Sequence, residues 1–294
     1  MDVTVTNLSK RFRGDVNALT EVNLNLSTGM TGLLGANGAG KTTLMRTIAG
    51  VLKPTEGTVV VGGHDIREPA GRAAVKRMLG YLPQEVELYP DLNCRELLDY
   101  IGLLKGQDDK SARRRQVEYL LDEVGLAEIA TRKVGGLSGG MKRRLGIAQC
   151  LLGDPRLVIV DEPTAGLDPE ERMRFRTLLA NLGGNRTVIL STHILDDVAQ
   201  TCPKVAVLNH GRLAYDGSVA GLVQCAQDST YLVQTGGAAP PGTHSVVNAQ
   251  VTNAGTVYRI VSDEPPADAE PTPPTLEDGY VALLRLSAPS GVPA

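Results

Sequence analysis

The stretch "GANGAGKT", residues 35–42, decides the fold of this chain. It matches the pattern GxxxxGK[ST], in which glycines let backbone amides approach and surround phosphate oxygens. The apolar run "MTGLLG" before it predicts a buried strand, and the residues from about Lys41 to Ala49 predict a helix. In this pattern Lys41 reaches the β- and γ-phosphates of a nucleotide and the Thr42 hydroxyl binds Mg²⁺. The stretch therefore predicts a phosphate-binding loop between a strand and a helix.

A second motif, "LVIVDEP" at residues 157–163, ends an apolar strand with two carboxylates. A buried strand would place Asp161 at its carboxyl edge, where it could hold Mg²⁺ through water. Glu162 would then lie beside the γ-phosphate, placed to orient and deprotonate a water molecule. Taken alone, two such carboxylates form a helix cap or a surface ion pair about as often as they form a catalytic pair. The phosphate-binding loop in the same chain favours the catalytic interpretation.

Three further residues become candidates only beside these two motifs. His193 in "STHIL" ends another apolar strand and could donate a hydrogen bond to the γ-phosphate, although a lone histidine is more often structural. Gln84 in "GYLPQ" lies where the predicted sheet gives way to helices. Phe12 in "KRFRG" could stack on adenine, a contact worth ~1–3 kcal/mol per base, or could be an ordinary core aromatic.

The composition restricts the class of protein. The chain has 294 residues, 42% hydrophobic and 21% charged, with a net charge of −3, so nucleic acid is not an expected partner. The basic runs 113–115 and 142–144 are predicted to be solvated helix faces. Four cysteines without a CxxC pair indicate reduced thiols. With no signal peptide and no apolar run of ~20 residues, the chain is expected to be soluble and to act at a membrane only through a partner.

The order of elements predicts an α/β fold. Strands separated by helices indicate a mainly parallel sheet, with alternating N-terminal strands before it and a helical subdomain inserted at about 87–155. A first domain is predicted at 1–222. Residues 223–294 form a C-terminal accessory region, in which proline-rich linkers flank a two-strand hairpin and a terminal helix, as expected of a small α+β appendage.

With these motifs in order, residues 1 to about 222 resemble the nucleotide-binding subunit of an ATP-binding-cassette (ABC) transporter. The motifs that carry the resemblance are the aromatic Phe12, the Walker A loop, the Q-loop Gln84, the signature "LSGGM" at 137–141, the Walker B carboxylates, the D-loop "AGLD" ending at Asp168, and the switch His193. The resemblance implies a P-loop NTPase (RecA-like) core with an N-terminal antiparallel β subdomain and an inserted α-helical subdomain.

The resemblance also implies an ATPase with ATP and Mg²⁺ as cofactors. The implied catalytic residues are Glu162, His193, Gln84 and Lys41. The implied magnesium residues are Thr42, Gln84 and Asp161. The residues implied to bind ATP are Phe12, Gly35, Ala36, Asn37, Gly38, Ala39, Gly40, Lys41, Thr42 and Thr43, joined by Ser138, Gly139, Gly140 and Asp168 of the other subunit. Met141 departs from the family, which usually has Gln there.

The partners follow from the same resemblance. ATP would lie between the phosphate loop of one chain and the signature of a second, head to tail, the second being another copy or a homologous cassette. The chain is most similar to bacterial drug-, antibiotic- and polysaccharide-export ATPases, which pair with a separate integral membrane permease. It would then be cytoplasmic and peripheral on the inner face of the cell membrane. Leu88, Tyr89, Leu92 and Leu97 are candidates for the groove that receives the permease, with core packing as the alternative.

Two other functions stay open at this point. A regulatory ATPase could bind a membrane complex without transporting anything. A nucleotide-binding module without hydrolysis is disfavoured, because both Glu162 and His193 are present.

Overall fold

The computed structural model describes residues 1–182 and 184–287. Within these residues the strands are β1 (Val3–Phe12), β2 (Val16–Leu26), β3 (Gly29–Leu34), β4 (Glu56–Val61), β5 (His64–Asp65), β6 (Leu79–Leu82), β7 (Leu157–Asp161), β8 (Thr187–Ser191), β9 (Lys204–Asn209), β10 (Arg212–Ser218), β11 (Thr230–Thr235), β12 (Ser245–Thr252), β13 (Gly255–Val261) and β14 (Glu270–Pro271). The α-helices are α1 (Lys41–Ile48), α2 (Pro69–Met78), α3 (Cys94–Leu104), α4 (Lys110–Glu123), α5 (Gly139–Leu151), α6 (Pro169–Leu182), α7 (Leu195–Thr201), α8 (Val219–Gln224) and α9 (Leu276–Ser287).

A central sheet in the order β10-β9-β3-β8-β7-β6 organises the first domain. Its strands are parallel except β10, which pairs antiparallel with β9. Every residue of β7 is buried, as is typical of a parallel strand covered on both faces. Because parallel strands end at one edge, the segments that follow β3, β6, β7 and β8 meet there.

An antiparallel sheet, β2-β1-β4-β5, covers one face of the central sheet. Its strands share a core with α1, α2 and one side of β7, including Leu157 and Ile159. The opposite side of β7, with Val158 and Val160, packs into a second core shared with α3, α4 and α5. These three helices form the inserted helical subdomain. The predicted fold class, a P-loop core with an antiparallel β subdomain and a helical insertion, is confirmed.

Helix α2 and strand β6 were not predicted as separate elements. Helix α2 begins with Pro69 in its first turn, but it buries only Gly71 and Val75, so its apolar periodicity is weak. Strand β6 has only four residues, too few for a clear alternation.

The basic runs are not simply solvated faces, and that prediction is wrong for three residues. Arg113 is 4% exposed, and its Nε donates to Asp99 Oδ1 at 2.7 Å. Arg144 is 9% exposed and donates to the carbonyls of residues 124 and 125, while Arg143 is half-buried. A guanidinium offers five donors in a planar fork, so it can satisfy several acceptors at a joint between segments.

The C-terminal accessory region has its own sheet, in the order β12-β13-β11-β14, with α9 against it. The predicted hairpin and terminal helix are both present. A buried ion pair joins the helix to the sheet: Arg259 Nη2 lies 2.7 Å from Asp278 Oδ2, and Asp278 is fully buried. The domain division at 222/223 stays a proposal, and it falls inside α8. None of the helices in the described ranges is long and apolar enough to cross a membrane.

Helices α8 and α9 cross at Gly279. A Cβ on this glycine would lie 2.1 Å from the backbone oxygen of Leu222, so the contact leaves no room for a side chain. We expect Gly279→Ala to lower the free energy of unfolding by about 1–3 kcal/mol despite the better helix propensity of alanine. Chemical denaturation measures this, with Gly236→Ala as control because a Cβ at Gly236 meets open space. An unchanged or higher stability for Gly279→Ala would contradict the close crossing.

Candidate active site

The phosphate-binding loop connects β3 to α1 in a conformation that requires glycine. Gly35 and Gly40 have φ angles of 150° and 104°. A Cβ on Gly35 would lie 2.4 Å from the Leu208 oxygen, and one on Gly40 would lie 2.6 Å from the Ala18 oxygen. Helix α1 begins directly after Gly40, so its free amides point into the loop. The loop can therefore surround an anion with backbone N–H groups.

Lys41 places a buried cation at this loop. Its side chain donates from Nζ to the Gly35 carbonyl at 2.6 Å and to the Ala36 carbonyl at 3.3 Å. The same Nζ lies 3.6 Å from Glu162 Oε1, and both side chains are less than a tenth exposed. A charge held at low dielectric interacts strongly with an arriving anion.

Thr42 and Asp161 face each other across the cleft, with the hydroxyl donating to Asp161 Oδ2 at 3.2 Å. Burial raises the pKa of Asp161, and its Oδ1 is a buried atom without a hydrogen-bond partner among the described residues. One hydroxyl and one carboxylate with a free oxygen fit Mg²⁺, which needs oxygen ligands and is usually completed by water and substrate phosphates. No cluster of three or more His, Cys, Asp or Glu that could hold a metal occurs in the described residues.

Glu162 and His193 form a contact at the edge of the sheet. His193 Nδ1 lies 2.7 Å from Glu162 Oε2, and because an ionised carboxylate only accepts, the ring donates there. Glu162 has a φ of 47°, unusual for a residue with a side chain, and its amide donates to the Ser191 carbonyl at 2.9 Å. The backbone after β7 thus turns sharply, and the end of β8 supplies the histidine. His193 is half exposed, whereas Glu162 is buried.

Most of the predicted residues line a single cleft at this edge. The lining consists of Ala18, Ala36, Asn37, Gly38, Gly40, Lys41, Thr42, Thr43, Gln84, Asp161, Glu162 and His193. Three of the predicted ATP-binding residues are not in it: Phe12 and the buried Gly35 and Ala39. Phe12 is 41% exposed near the end of β1, with Lys10 Nζ 5.2 Å from its ring centre.

The four residues predicted to contact the nucleotide of the other subunit line a second cleft. Its lining consists of Ser138, Gly139, Gly140, Arg143, Ala165, Gly166, Leu167, Asp168 and Glu171. Ser138 caps α5 by accepting from the amide of Met141 at 3.2 Å, so the exposed serine stands at a helix N-terminus. Asp168 accepts from the amide of Glu171 at the start of α6. The Met141 side chain packs against the core of the helical subdomain.

A family model described as ABC transporter matches residues 19–165, half of the chain. The chain belongs to the ABC transporter family. It is an ATP-binding member of a family of ATPases, which agrees with the cleft built around Lys41.

Two relatives illustrate the range within this ABC family. The chain is 35% identical over 239 residues to the ABC transporter ATP-binding protein NatA of Bacillus subtilis, covering 78% of this chain and 96% of NatA. It is 38% identical over 234 residues to the probable multidrug ABC transporter ATP-binding protein YbhF of Escherichia coli, covering 79% of this chain. The chain spans only 40% of the length of YbhF.

A solved structure agrees with the fold. The dimeric post-hydrolysis state of the ATP-binding cassette MJ0796, bound to ADP and Pi, superposes with a TM-score of 0.66 at 26% identity. The match covers 74% of this chain and 98% of that one. The known relative is thus a dimer, and the present chain has the same cassette fold.

Sequence reasoning missed Arg143, which connects the two clefts of this ABC cassette. Its Nη1 donates to the Pro163 and Ala165 carbonyls at 2.6 and 2.5 Å, and its Nη2 to the Gln84 carbonyl at 3.3 Å. Burial lowers the pKa of its guanidinium. The only sequence signal was its place in a basic run behind the signature.

Proposed function

We propose that this ABC cassette hydrolyses ATP at two composite sites in a head-to-tail dimer and thereby drives a separate membrane permease that exports its cargo. One observation carries the proposal: the chain has two clefts, each of which holds part of the expected chemistry. The first contains Lys41, Asp161 and Glu162, and the second contains Ser138 and Asp168.

The first cleft would bind ATP and supply the hydrolytic groups. The loop amides and Lys41 would hold the β- and γ-phosphates. Glu162 would orient and deprotonate the attacking water, and its contact with His193 would fix the carboxylate beside the γ-phosphate. Phe12 remains our candidate for stacking on adenine. Its exposed ring lies outside the cleft lining, and the dimer or the bound base would have to complete that contact.

Thr42 and Asp161 would hold Mg²⁺, with Gln84 as a third candidate at the rim. When bound, the ion would polarise the β- and γ-phosphate oxygens. The unpartnered Oδ1 of Asp161 supports this assignment, because a buried carboxylate oxygen without a donor is costly unless a ligand satisfies it.

The second cleft would complete the site of a partner cassette. Ser138 offers a hydroxyl, and Gly139 and Gly140 offer amides at the N-terminus of α5, the geometry that favours an anion. A two-fold arrangement would form both sites at once, whether the partner is a second copy or a homologous cassette. The dimeric cassette MJ0796 supports this proposal.

An apolar patch on the helical subdomain supports a membrane partner. Tyr89 and Tyr100 are both exposed and meet edge to face at 5.7 Å between ring centres, and Leu103 and Leu104 are exposed on the same helix as Tyr100. Leu97, an earlier candidate for this surface, is fully buried and packs in the core instead. Export, and a cytoplasmic position on the inner face of the cell membrane, rest on the sequence resemblance.

Affinity purification from membranes tests the permease proposal. We expect the chain to recover an integral membrane protein and its ATP hydrolysis to rise when a transported compound is added. Tyr89→Glu should reduce that recovery about tenfold or more, because it places a charge in an apolar interface. Tyr119→Glu is the matched control, since Tyr119 is equally exposed but lies on α4. Recovery of a membrane complex whose ATPase no compound stimulates would favour a regulatory cassette instead.

A further inference from the structure

The guanidinium of Arg143 joins its own helix to two loops that belong to different motifs. The side chain leaves α5, the helix that starts at the signature serine, and reaches the Gln84 carbonyl on one side. On the other side it reaches the Pro163 and Ala165 carbonyls, within the segment that follows Glu162. One cation therefore bridges the signature helix, the Q-loop and the D-loop.

Arg143 differs in its acceptors from several other shielded arginines, and it shares its kind of acceptor with Arg72, which donates to the carbonyls of residues 66 and 67. Arg113, Arg176 and Arg259 each pair with an aspartate, and Arg144 lies 3.5 Å from Glu171. Arg143 has no carboxylate within ion-pair distance among the described residues, and backbone carbonyls accept the hydrogen bonds from its side chain. Such bonds fix the path of the loops themselves rather than the rotamer of one side chain.

The two loops and the signature helix connect the two clefts. Gln84 lines the first cleft together with Glu162, which directly precedes Pro163. Ala165 lines the second cleft together with Ser138. If the Q-loop or the segment after Glu162 moves, either its hydrogen bonds to Arg143 break or Arg143 moves with it. In the second case the start of α5 moves as well.

We propose that Arg143 is a positioning residue that couples occupancy of the first cleft to the position of the signature in the second. This inference rests on the proposed composite-site function and adds the element within one chain by which the two half-sites communicate. Arg143 is in the lining of the second cleft, and backbone carbonyls accept from its guanidinium. It acts by holding the Q-loop, the D-loop and the signature helix as one unit.

The variant Arg143→Met removes the donors and keeps an unbranched apolar stem, and Arg143→Lys keeps the charge. Lys142→Met is the control, because no side-chain hydrogen bond or ion pair of Lys142 occurs in the described part of the chain. We expect ATP affinity of the isolated chain to stay within about twofold, since the phosphate loop is untouched. ATP-induced protection of amides 137–141 from hydrogen exchange should be lost in Arg143→Met and partly retained in Arg143→Lys.

A second readout uses dimerisation. In a Glu162→Gln background, the ATP-dependent dimer of Arg143→Met should weaken by about tenfold or more, the scale of losing hydrogen bonds to a charged donor. If amides 137–141 respond to ATP equally in the parent and in Arg143→Met, or do not respond in the parent, the coupling role is overturned. If Glu162→Gln alone never dimerises, even with the permease, the composite-site function fails instead, and the exchange measurement still tests Arg143 within one chain. A thermal unfolding midpoint of Arg143→Met near that of the parent shows that the variant is folded, so that a lost response to ATP reports lost coupling.

Discussion

Replacing Glu162 with Gln is expected to slow ATP hydrolysis by about a hundredfold or more and to hold the chain as an ATP-bound dimer. The amide is nearly isosteric and can still accept from His193 Nδ1, but it cannot take a proton from water. ATP bound between two cassettes stabilises the dimer by mass action, and slow hydrolysis lets that state accumulate.

Size-exclusion chromatography with light scattering, with saturating ATP and Mg²⁺, measures the dimer, and phosphate release measures the rate. Glu56→Gln is the matched control, because Glu56 is an exposed glutamate on β4 that lies outside both clefts. A Glu162→Gln chain that hydrolyses ATP at the parent rate would mean that another group is the base. A variant that stays monomeric with ATP, also in the presence of the permease, would argue against the ATP-bound dimer.

The first cleft could be predicted from the sequence because its residues lie at or beyond the carboxyl ends of strands. Asp161 ends β7, His193 closely follows β8, and Thr42 follows the glycine loop after β3. Parallel strands bring these ends to one edge of the sheet. The local geometry could not be predicted. The left-handed backbone at Glu162 and its contact with His193 depend on the exact ends of two strands that are far apart in sequence.

The arginine contacts were hidden for a different reason. Within the run Arg113 to Arg115 the residues are alike, and only the spacing to Val117 and Leu120 marks Arg113 as the buried one. Whether Arg143 faces solvent or three carbonyls is decided by loops about 20 and 60 residues away, and carbonyl positions leave no mark in the sequence. Gly279 is similar, because a glycine inside a helix is weak evidence of a close crossing until the partner helix is known.

Replacing Ser138 should slow hydrolysis by an amount that depends on the new side chain. Ser138 caps α5, so Ser138→Ala loses a cap worth about 1 kcal/mol and one phosphate donor. Ser138→Asp keeps a good cap but places a negative charge at the site proposed for the partner's γ-phosphate. We expect Ser138→Asp to lower the rate by about a hundredfold or more and Ser138→Ala to have a smaller effect. If Ser138→Asp and Ser138→Ala lose the same activity and the same stability, the serine serves folding alone.

Mixing two inactive chains decides whether the serine acts in its own subunit or across the interface. Ser138→Arg leaves the phosphate loop intact, and Lys41→Ala leaves the signature intact. In a head-to-tail mixed dimer, one site would combine the intact phosphate loop of the Ser138→Arg chain with the intact signature of the Lys41→Ala chain. Equal mixing should therefore restore activity, up to about a quarter of the parent rate if the sites act independently, since half of the dimers carry one sound site. Recovery is impossible if Ser138 serves the nucleotide of its own chain, because every site would then carry a lesion. Each variant alone should remain inactive, and Ser138→Arg alone should still bind ATP as a monomer.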